Sequence, residues 1–202
     1  MQSIENKILF KLYDKGRSWA FSKKDFAHLG NHKAIDMALI RLSNNGQIRR
    51  VIRGIYDYPK YSKLLERELS PDIDQIAHAL ARKFGWNIQI SGNTALNVLG
   101  LSTQVPTRYL YYCDNRDRVY KIGNIELKFE KIALSDIGLK YPESELLVQA
   151  IKALGKRTLT EEEKHKIRDY FSPDKHARIL KDTQYTTSWV YEIIKSIFQD
   201  KK

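Results

Sequence analysis

The sequence predicts an α+β protein of two domains, and three patterns in its 202 residues support this fold class. Helical periodicity occupies residues 3–45, a basic β-hairpin follows, and alternating apolar and polar residues indicate further strands between residues 86 and 132. From Glu143 onward the pattern is helical again. We therefore expect helices beside a hairpin in the N-terminal domain, then a mixed α/β domain with a C-terminal helical segment.

Three short helices are predicted at the start of the chain. The first covers residues 3–15 and ends at Gly16, and Ser22 caps a second that ends at Gly30. Asn31 caps a third helix, which runs to Asn45. The apolar stripe of this third helix consists of Ile35, Ala38, Leu39 and Leu42. Away from that stripe lie His32, Lys33, Asp36, Met37, Ile40, Arg41 and Asn44.

A β-hairpin is predicted directly after the third helix. Residues 47–52 form one strand, Arg53 and Gly54 the turn, and residues 55–58 the returning strand. Gly54 favours a tight turn because glycine adopts positive φ without a steric penalty. Three helices followed by a basic hairpin are the order of a winged helix-turn-helix. We assign this fold to residues 1–60, and a second α+β domain to residues 61–202.

Basic charge is concentrated in this first domain. The chain carries a net charge of +11, and residues 1–60 hold 12 Lys and Arg against 5 Asp and Glu. A polar helix in the major groove, with a basic hairpin on the phosphates, fits double-stranded DNA. The predicted DNA contacts are Lys23, Lys24, His32, Lys33, Arg41, Arg49, Arg50 and Arg53. The alternative is a protein-docking module whose hairpin is a solvated edge.

The remaining chain indicates the mixed domain. Helices are predicted at residues 72–84, 94–99, 143–154, 160–171, 173–181 and 186–198, and strands at residues 86–90, 108–113, 119–122 and 125–132. The link Gly123–Asn124 between two alternating runs is a strong hairpin signal. Residues 61–69 are expected to form a charged connector, and residues 91–93 a capped turn before a helix.

Two stretches of the chain carry a family resemblance. The first includes Ala-Leu-Ile-Arg-Leu at residues 38–42 and Arg-Gly-Ile-Tyr at residues 53–56. The second includes Ile-Ser-Gly-Asn-Thr-Ala-Leu at residues 90–96, Leu-Gly-Leu at residues 99–101 and Gln-Val-Pro at residues 104–106. In this order they resemble the AbiEi-type antitoxin and transcriptional-regulator family of bacterial abortive-infection, type IV toxin–antitoxin systems.

The resemblance implies a function for each domain. The N-terminal winged helix is expected to bind operator DNA and repress its own operon, with contacts around His32, Lys33 and Arg41 and on the hairpin residues Arg49, Arg50 and Arg53. The C-terminal domain is expected to act as an antitoxin that counters a nucleotidyltransferase-like toxin. Stable binding to that toxin is not required in a type IV system.

Two other activities stay open. Asp114 precedes Glu126 and Lys128, and such a set on adjacent strands is typical of magnesium-dependent nucleases, where carboxylates hold the metal and lysine stabilises phosphate charge. A solvated strand face presents the same residue types. The second domain also offers tyrosine rings for stacking on RNA bases, at Tyr109, Tyr111 and Tyr112.

Composition limits the remaining classes of protein to which this chain could belong. No apolar run approaches the roughly 20 residues that cross a bilayer, and the first residues lack a signal-peptide pattern. The single cysteine, Cys113, excludes an internal disulfide and a multi-cysteine zinc site. We expect a cytoplasmic protein that is not an enzyme, with no catalytic centre, metal site, cofactor or membrane partner.

Overall fold

A computed structural model of the chain describes residues 3–102, 107–132 and 139–199, and it has a mixed α+β architecture. The helices α1–α8 are Ile4–Lys15, His32–Asn44, Ile73–Phe84, Gly92–Val98, Pro142–Leu154, Glu161–Tyr170, Pro173–Thr183 and Ser188–Phe198. A 3-10 helix, Lys23–Leu29, lies between α1 and α2. The strands β1–β9 are Ala20–Phe21, Arg49–Ile52, Ile55–Asp57, Tyr61–Ser62, Arg67–Glu68, Ile88–Ile90, Arg108–Cys113, Arg118–Ile122 and Ile125–Lys131.

The predicted helices and strands are present, with bounds that shift by no more than two residues. Sequence patterns did not predict β1 or the small β4–β5 hairpin. This hairpin lies where a charged connector was expected, at residues 61–69. Strands of two residues are too short to show alternation, so sequence patterns do not detect them. Residues 104–106, part of the family resemblance, lie outside the described residues.

The chain divides into two units, Met1–Ile88 and Gln89–Lys202. In the first unit, β1, β3 and β2 form an antiparallel sheet in that order, with Asp57 of β3 opposite both Ala20 and Arg49. Caps at Ser3 and Asn31 begin α1 and α2. The core of this unit consists of Ile8, Leu12, Phe21, Phe26, Ile35, Ala38, Leu39, Leu42, Ile48 and Tyr58.

The boundary after Ile88 differs from the one expected after residue 60, because α3 packs within the first unit. This helix contacts β1, β3 and the 3-10 helix. Arg82 of α3 donates from Nε to Oδ1 of Asp25 at 2.8 Å and from Nη2 to the Ala20 carbonyl at 2.8 Å. A boundary placed from composition alone does not detect such contacts, since they depend on where α3 folds back.

The second unit contains a four-stranded sheet of order β6-β7-β9-β8. Strands β7 and β9 are parallel, and β8 and β9 form the predicted antiparallel hairpin. Leu127 and Phe129 of β9 are buried, whereas Glu126, Lys128 and Glu130 are only half-buried, as the alternation predicts. Across the described ranges, none of the helices has the length and apolar character needed to span a bilayer.

The stretch Ser91-Gly92-Asn93-Thr94 begins α4 and holds this helix against its neighbours. The hydroxyl of Ser91 caps α4, and Thr94 Oγ1 accepts from the Leu110 amide at 2.8 Å, which ties α4 to β7. A Cβ added to Gly92 would lie 2.7 Å from Ala153 Cβ of α5, so glycine is needed for this approach. The stretch is therefore a capped turn, as expected from the sequence.

Replacing Gly92 with alanine tests the close packing of α4 on α5. The added methyl group meets a methyl carbon that cannot rotate away, so we expect a loss of about 1–3 kcal/mol in the free energy of unfolding, measured by urea denaturation. The neighbouring exposed Asn93 serves as control, since Asn93→Ala should change stability by no more than about 0.5 kcal/mol. A Gly92→Ala protein as stable as the parent contradicts the packing.

Candidate nucleic-acid interface

Helix α2 presents a defined face to solvent. Its N-terminus is capped by Asn31, whose Oδ1 accepts from the Ala34 amide at 2.8 Å, and its apolar stripe is buried in the core. At about 100° of rotation per residue, the positions farthest from that stripe form one line along the helix. This outward face consists of Lys33, Met37, Ile40 and Asn44, all of which are exposed.

Charged residues beside the outward face are held by ion pairs. Asp36 contacts Lys23 Nζ of the 3-10 helix at 2.9 Å, and Arg41 Nη1 contacts Glu5 of α1 at 2.9 Å. Because these pairs are solvent-exposed, each contributes at most about 1 kcal/mol. Lys23 and Arg41 can therefore exchange their carboxylate partners for a phosphate at small cost.

The turn of the β2–β3 hairpin lies against a lysine that the sequence did not indicate. Lys83, near the end of α3, donates from Nζ to the carbonyl of Arg53 at 3.1 Å. Gly54 adopts a φ of 75°, and a Cβ there would lie 2.7 Å from Lys83 Nζ. Glycine at this position serves the tight turn, since the flexible tip of the lysine could move away from an added Cβ.

Lys83 completes a basic cluster with Lys23 and Arg53. Burial lowers the pKa of Lys83, and the nearby positive charges of Arg53 and Lys23 lower that pKa further. Like charges repel one another, so an anion bound among them relieves the repulsion. A lysine in the last turn of a helix is ordinary in sequence terms, which explains why it carried no signal.

Arg49 has a different role from the predicted one. Its Nε donates to Asp57 Oδ1 at 3.0 Å, its Nη2 contacts Asp57 Oδ2, and its Nη1 donates to the Leu69 carbonyl at 2.9 Å. Asp57 is only 1% exposed, so this guanidinium neutralises a buried carboxylate. Arg49 therefore stabilises the sheet of the first unit, and we remove it from the set of candidate DNA contacts.

The other predicted contacts remain on the surface of the first unit. Arg50 alternates with Arg49 along β2 and is exposed. Lys24 of the 3-10 helix, and His32 and Lys33 in the first turn of α2, are exposed as well. Exposed cations therefore lie on the 3-10 helix, α2 and β2. Cations spread over several elements suit an extended polyanion better than a small ligand.

The proposed nuclease residues are not brought together. In the parallel register of β7 and β9, Glu126 lies opposite Arg108, whereas Asp114 follows the far end of β7. Six residues of strand separate the two positions, which is roughly 20 Å along the sheet. Carboxylates that share one magnesium ion lie within a few ångströms of each other, so this site is not assembled. Glu126 instead pairs with Arg108 at 2.7 Å.

The tyrosines of β7 do not form an RNA-stacking platform as a set. Tyr111 is fully buried and its ring contacts that of Phe129 at 6.0 Å between centroids. Tyr109 and Tyr112 are half-buried. Within the described ranges, no three His, Cys, Asp or Glu residues lie close enough to hold a metal ion.

Comparison with known proteins gives a family without a known role. The sequence model of the family DUF6088, described as a family of unknown function, matches residues 5–179. No curated protein matches the chain. Among solved structures, the RV2827C protein from Mycobacterium tuberculosis resembles it with a TM-score of 0.38 and 14% identity, over 89% of this chain and 71% of that chain. A likeness at this level carries no argument about function.

Substituting Arg49 tests its structural role. Burial already raises the pKa of Asp57, and the Arg49 guanidinium opposes that rise. Arg49→Ala leaves the carboxylate buried without its partner, so we expect a loss of about 3 kcal/mol in unfolding free energy at neutral pH. The control is Arg50→Ala, which removes an exposed arginine from the same strand and should change stability by no more than about 0.5 kcal/mol.

The pH dependence of this loss identifies its cause. A carboxyl whose pKa is higher in the folded than in the unfolded chain destabilises the fold as pH rises above the unfolded value of about 3.9. The loss of unfolding free energy in Arg49→Ala, relative to the parent, should therefore shrink as pH falls towards that value and Asp57 becomes protonated. Urea unfolding over a pH series measures this change. An equal deficit at all pH values contradicts the buried-charge explanation.

Proposed function

We infer that this chain, which belongs to DUF6088, a family of unknown function, is a DNA-binding transcriptional regulator that binds double-stranded DNA through its first unit. The observation that carries the proposal is the basic cluster of Lys23, Arg53 and Lys83, in which Lys23 contacts Asp36 beside the outward face of α2. Repulsion within the cluster is unfavourable in the free protein, and phosphates are the anions that relieve it along a duplex.

The order of elements in the first unit supports the same proposal. Helix α1 precedes β1, the 3-10 helix, α2 and the β2–β3 hairpin, and β1 pairs with β3. This is the arrangement expected of a winged helix-turn-helix, in which α2 is the recognition helix and the hairpin is the wing. We propose that α2 enters the major groove while the cations of the hairpin and of α3 contact phosphates.

Each proposed phosphate contact has a basis in the fold. Arg53 is at the tip of the hairpin, Arg50 is exposed on β2, and Lys83 lies across the turn. Lys24 and Lys23 extend this positive surface to the 3-10 helix, where Lys23 is available at the small cost of its exposed pair with Asp36. Contacts of this kind set affinity and orientation, whereas sequence is read by α2.

A triple variant tests the phosphate contacts. Replacing Arg50, Arg53 and Lys83 with alanine should weaken binding to all duplexes, because the variant neutralises fewer phosphates and its binding releases fewer counterions. The slope of log affinity against log salt concentration should become shallower by about 3, one unit for each residue. Fluorescence anisotropy with a labelled promoter duplex at several salt concentrations measures both effects.

A control variant removes one positive charge away from the proposed DNA contacts. Lys156→Ala removes an exposed cation from the second unit and should leave both the affinity and the salt slope of the parent. If the triple variant binds the promoter duplex with the affinity of the parent, these residues do not contact DNA. If the parent itself shows no salt-dependent binding, the proposed function is wrong.

The regulatory context is proposed from the sequence resemblance. The two stretches described above resemble AbiEi-type antitoxins, which supports repression of the chain's own operon and protection against a nucleotidyltransferase-like toxin. We assign DNA binding to the first unit and toxin neutralisation to the second. Under this assignment the two activities are separable by mutation.

Co-expression tests the antitoxin role. Producing the chain together with a nucleotidyltransferase-like protein encoded beside it should restore growth that this protein alone inhibits. The triple variant of Arg50, Arg53 and Lys83 should restore growth as well, while losing repression of a reporter placed under the operon's promoter. Failure of the parent chain to restore growth, with both proteins detected in the cells, excludes the antitoxin role and leaves DNA binding to be judged by the anisotropy experiment.

A further inference from the structure

We propose that Met37 and Ile40 of α2 recognise the C5-methyl groups of thymine in the major groove, so that the DNA sites of this protein carry thymine at defined positions. The inference rests on the proposed DNA binding and adds the chemistry by which sequence is read. It concerns residues that the sequence analysis placed outside the core but did not include among the DNA contacts.

The positions of the two side chains carry the argument. Met37 and Ile40 are three residues apart, which places them on one side of the helix. They occupy the middle of the outward face, opposite the buried residues Ile35 and Leu42. Their exposed fractions are 45% and 46%, so a substantial apolar surface faces away from the core of the unit.

The charged neighbours of this apolar surface lie to its sides. Asp36 on one side is paired with Lys23, and Arg41 on the other side is paired with Glu5. The groups that point straight outward at mid-helix are therefore apolar, with Lys33 and Asn44 at the two ends. Lysine reads guanine and asparagine reads adenine in the major groove, so all four positions suit base edges.

Thymine supplies the apolar partner that this surface lacks. Of the four bases, thymine alone presents a methyl group in the major groove. Burying one methyl group against Met37 or Ile40 is expected to raise affinity about fourfold. The alternative occupant is an apolar protein surface, but the cations on α2 and against it, Lys33, Arg41 and Lys23, favour a polyanion.

Replacing thymine with uracil tests the proposal. The full chain selects duplexes from a random-sequence pool, and each thymine of the selected duplex is then replaced with deoxyuridine, which lacks only the C5-methyl group. We expect the affinity of the parent to fall about fourfold at one or more of these positions. The double variant Met37→Ala with Ile40→Ala should bind the thymine and uracil duplexes equally.

Two further variants of the chain control for indirect effects of the substitutions on DNA binding. The conservative double variant Met37→Leu with Ile40→Val keeps apolar side chains and should retain the preference for thymine. Arg50→Ala should weaken binding to the thymine and uracil duplexes by the same factor, since a phosphate contact does not distinguish them. Circular dichroism of each variant checks that the total helix content equals that of the parent, and alanine at exposed helical positions favours the helix.

The outcomes separate this inference from the proposed function. Equal binding of thymine and uracil duplexes by the parent overturns the inference, and so does a preference that survives in the alanine double variant. Selected duplexes without thymine also overturn it. In each of these cases the parent still binds DNA, so the proposed function stands. Absence of any salt-dependent binding to the pool rejects both.

Discussion

The ion pair of Asp57 and Arg49 is the interaction on which the first unit depends. Asp57 lies on the central strand of a three-stranded sheet, with β1 on one side and β2 on the other. A carboxylate at 1% exposure is stable only when its charge is compensated, and Arg49 does this while also binding the Leu69 carbonyl. One guanidinium thus holds β2 to β3 and holds both to the segment that leads into α3.

The placement of α3 contributes to the candidate interface. Arg82 binds Asp25 and the Ala20 carbonyl, so the helix is attached to the 3-10 helix and to β1. Its next residue, Lys83, then crosses the turn of the β2–β3 hairpin at Arg53. Arg49 and Arg82 thus contact partners within the fold, while Arg50 and Arg53 are exposed and are proposed to contact phosphates.

The two faces of α2 also differ in what they contact. The face that carries Ile35, Ala38, Leu39 and Leu42 is buried in the core, and this burial sets which residues point outward. Met37 and Ile40 are apolar but lie on the outward face, where burial in the unit does not explain them. In the second unit, by contrast, the stretch around Ser91 is accounted for by packing, because Gly92 allows α4 to approach α5 and Thr94 ties α4 to β7.

The sequence by itself determined the features that depend on neighbours along the chain. Caps such as Asn31, the glycine turn at Gly54 and the alternation in β9 predicted the elements and their bounds, since each signal acts within a few residues. Only the tertiary structure decided which charges are available. In the tertiary structure Arg49 pairs with a buried aspartate, and Lys83 contacts Arg53, which lies thirty residues earlier in the chain. Asp114 and Glu126 lie at opposite ends of parallel strands. These outcomes depend on strand register and on where α3 folds back, which no local pattern encodes.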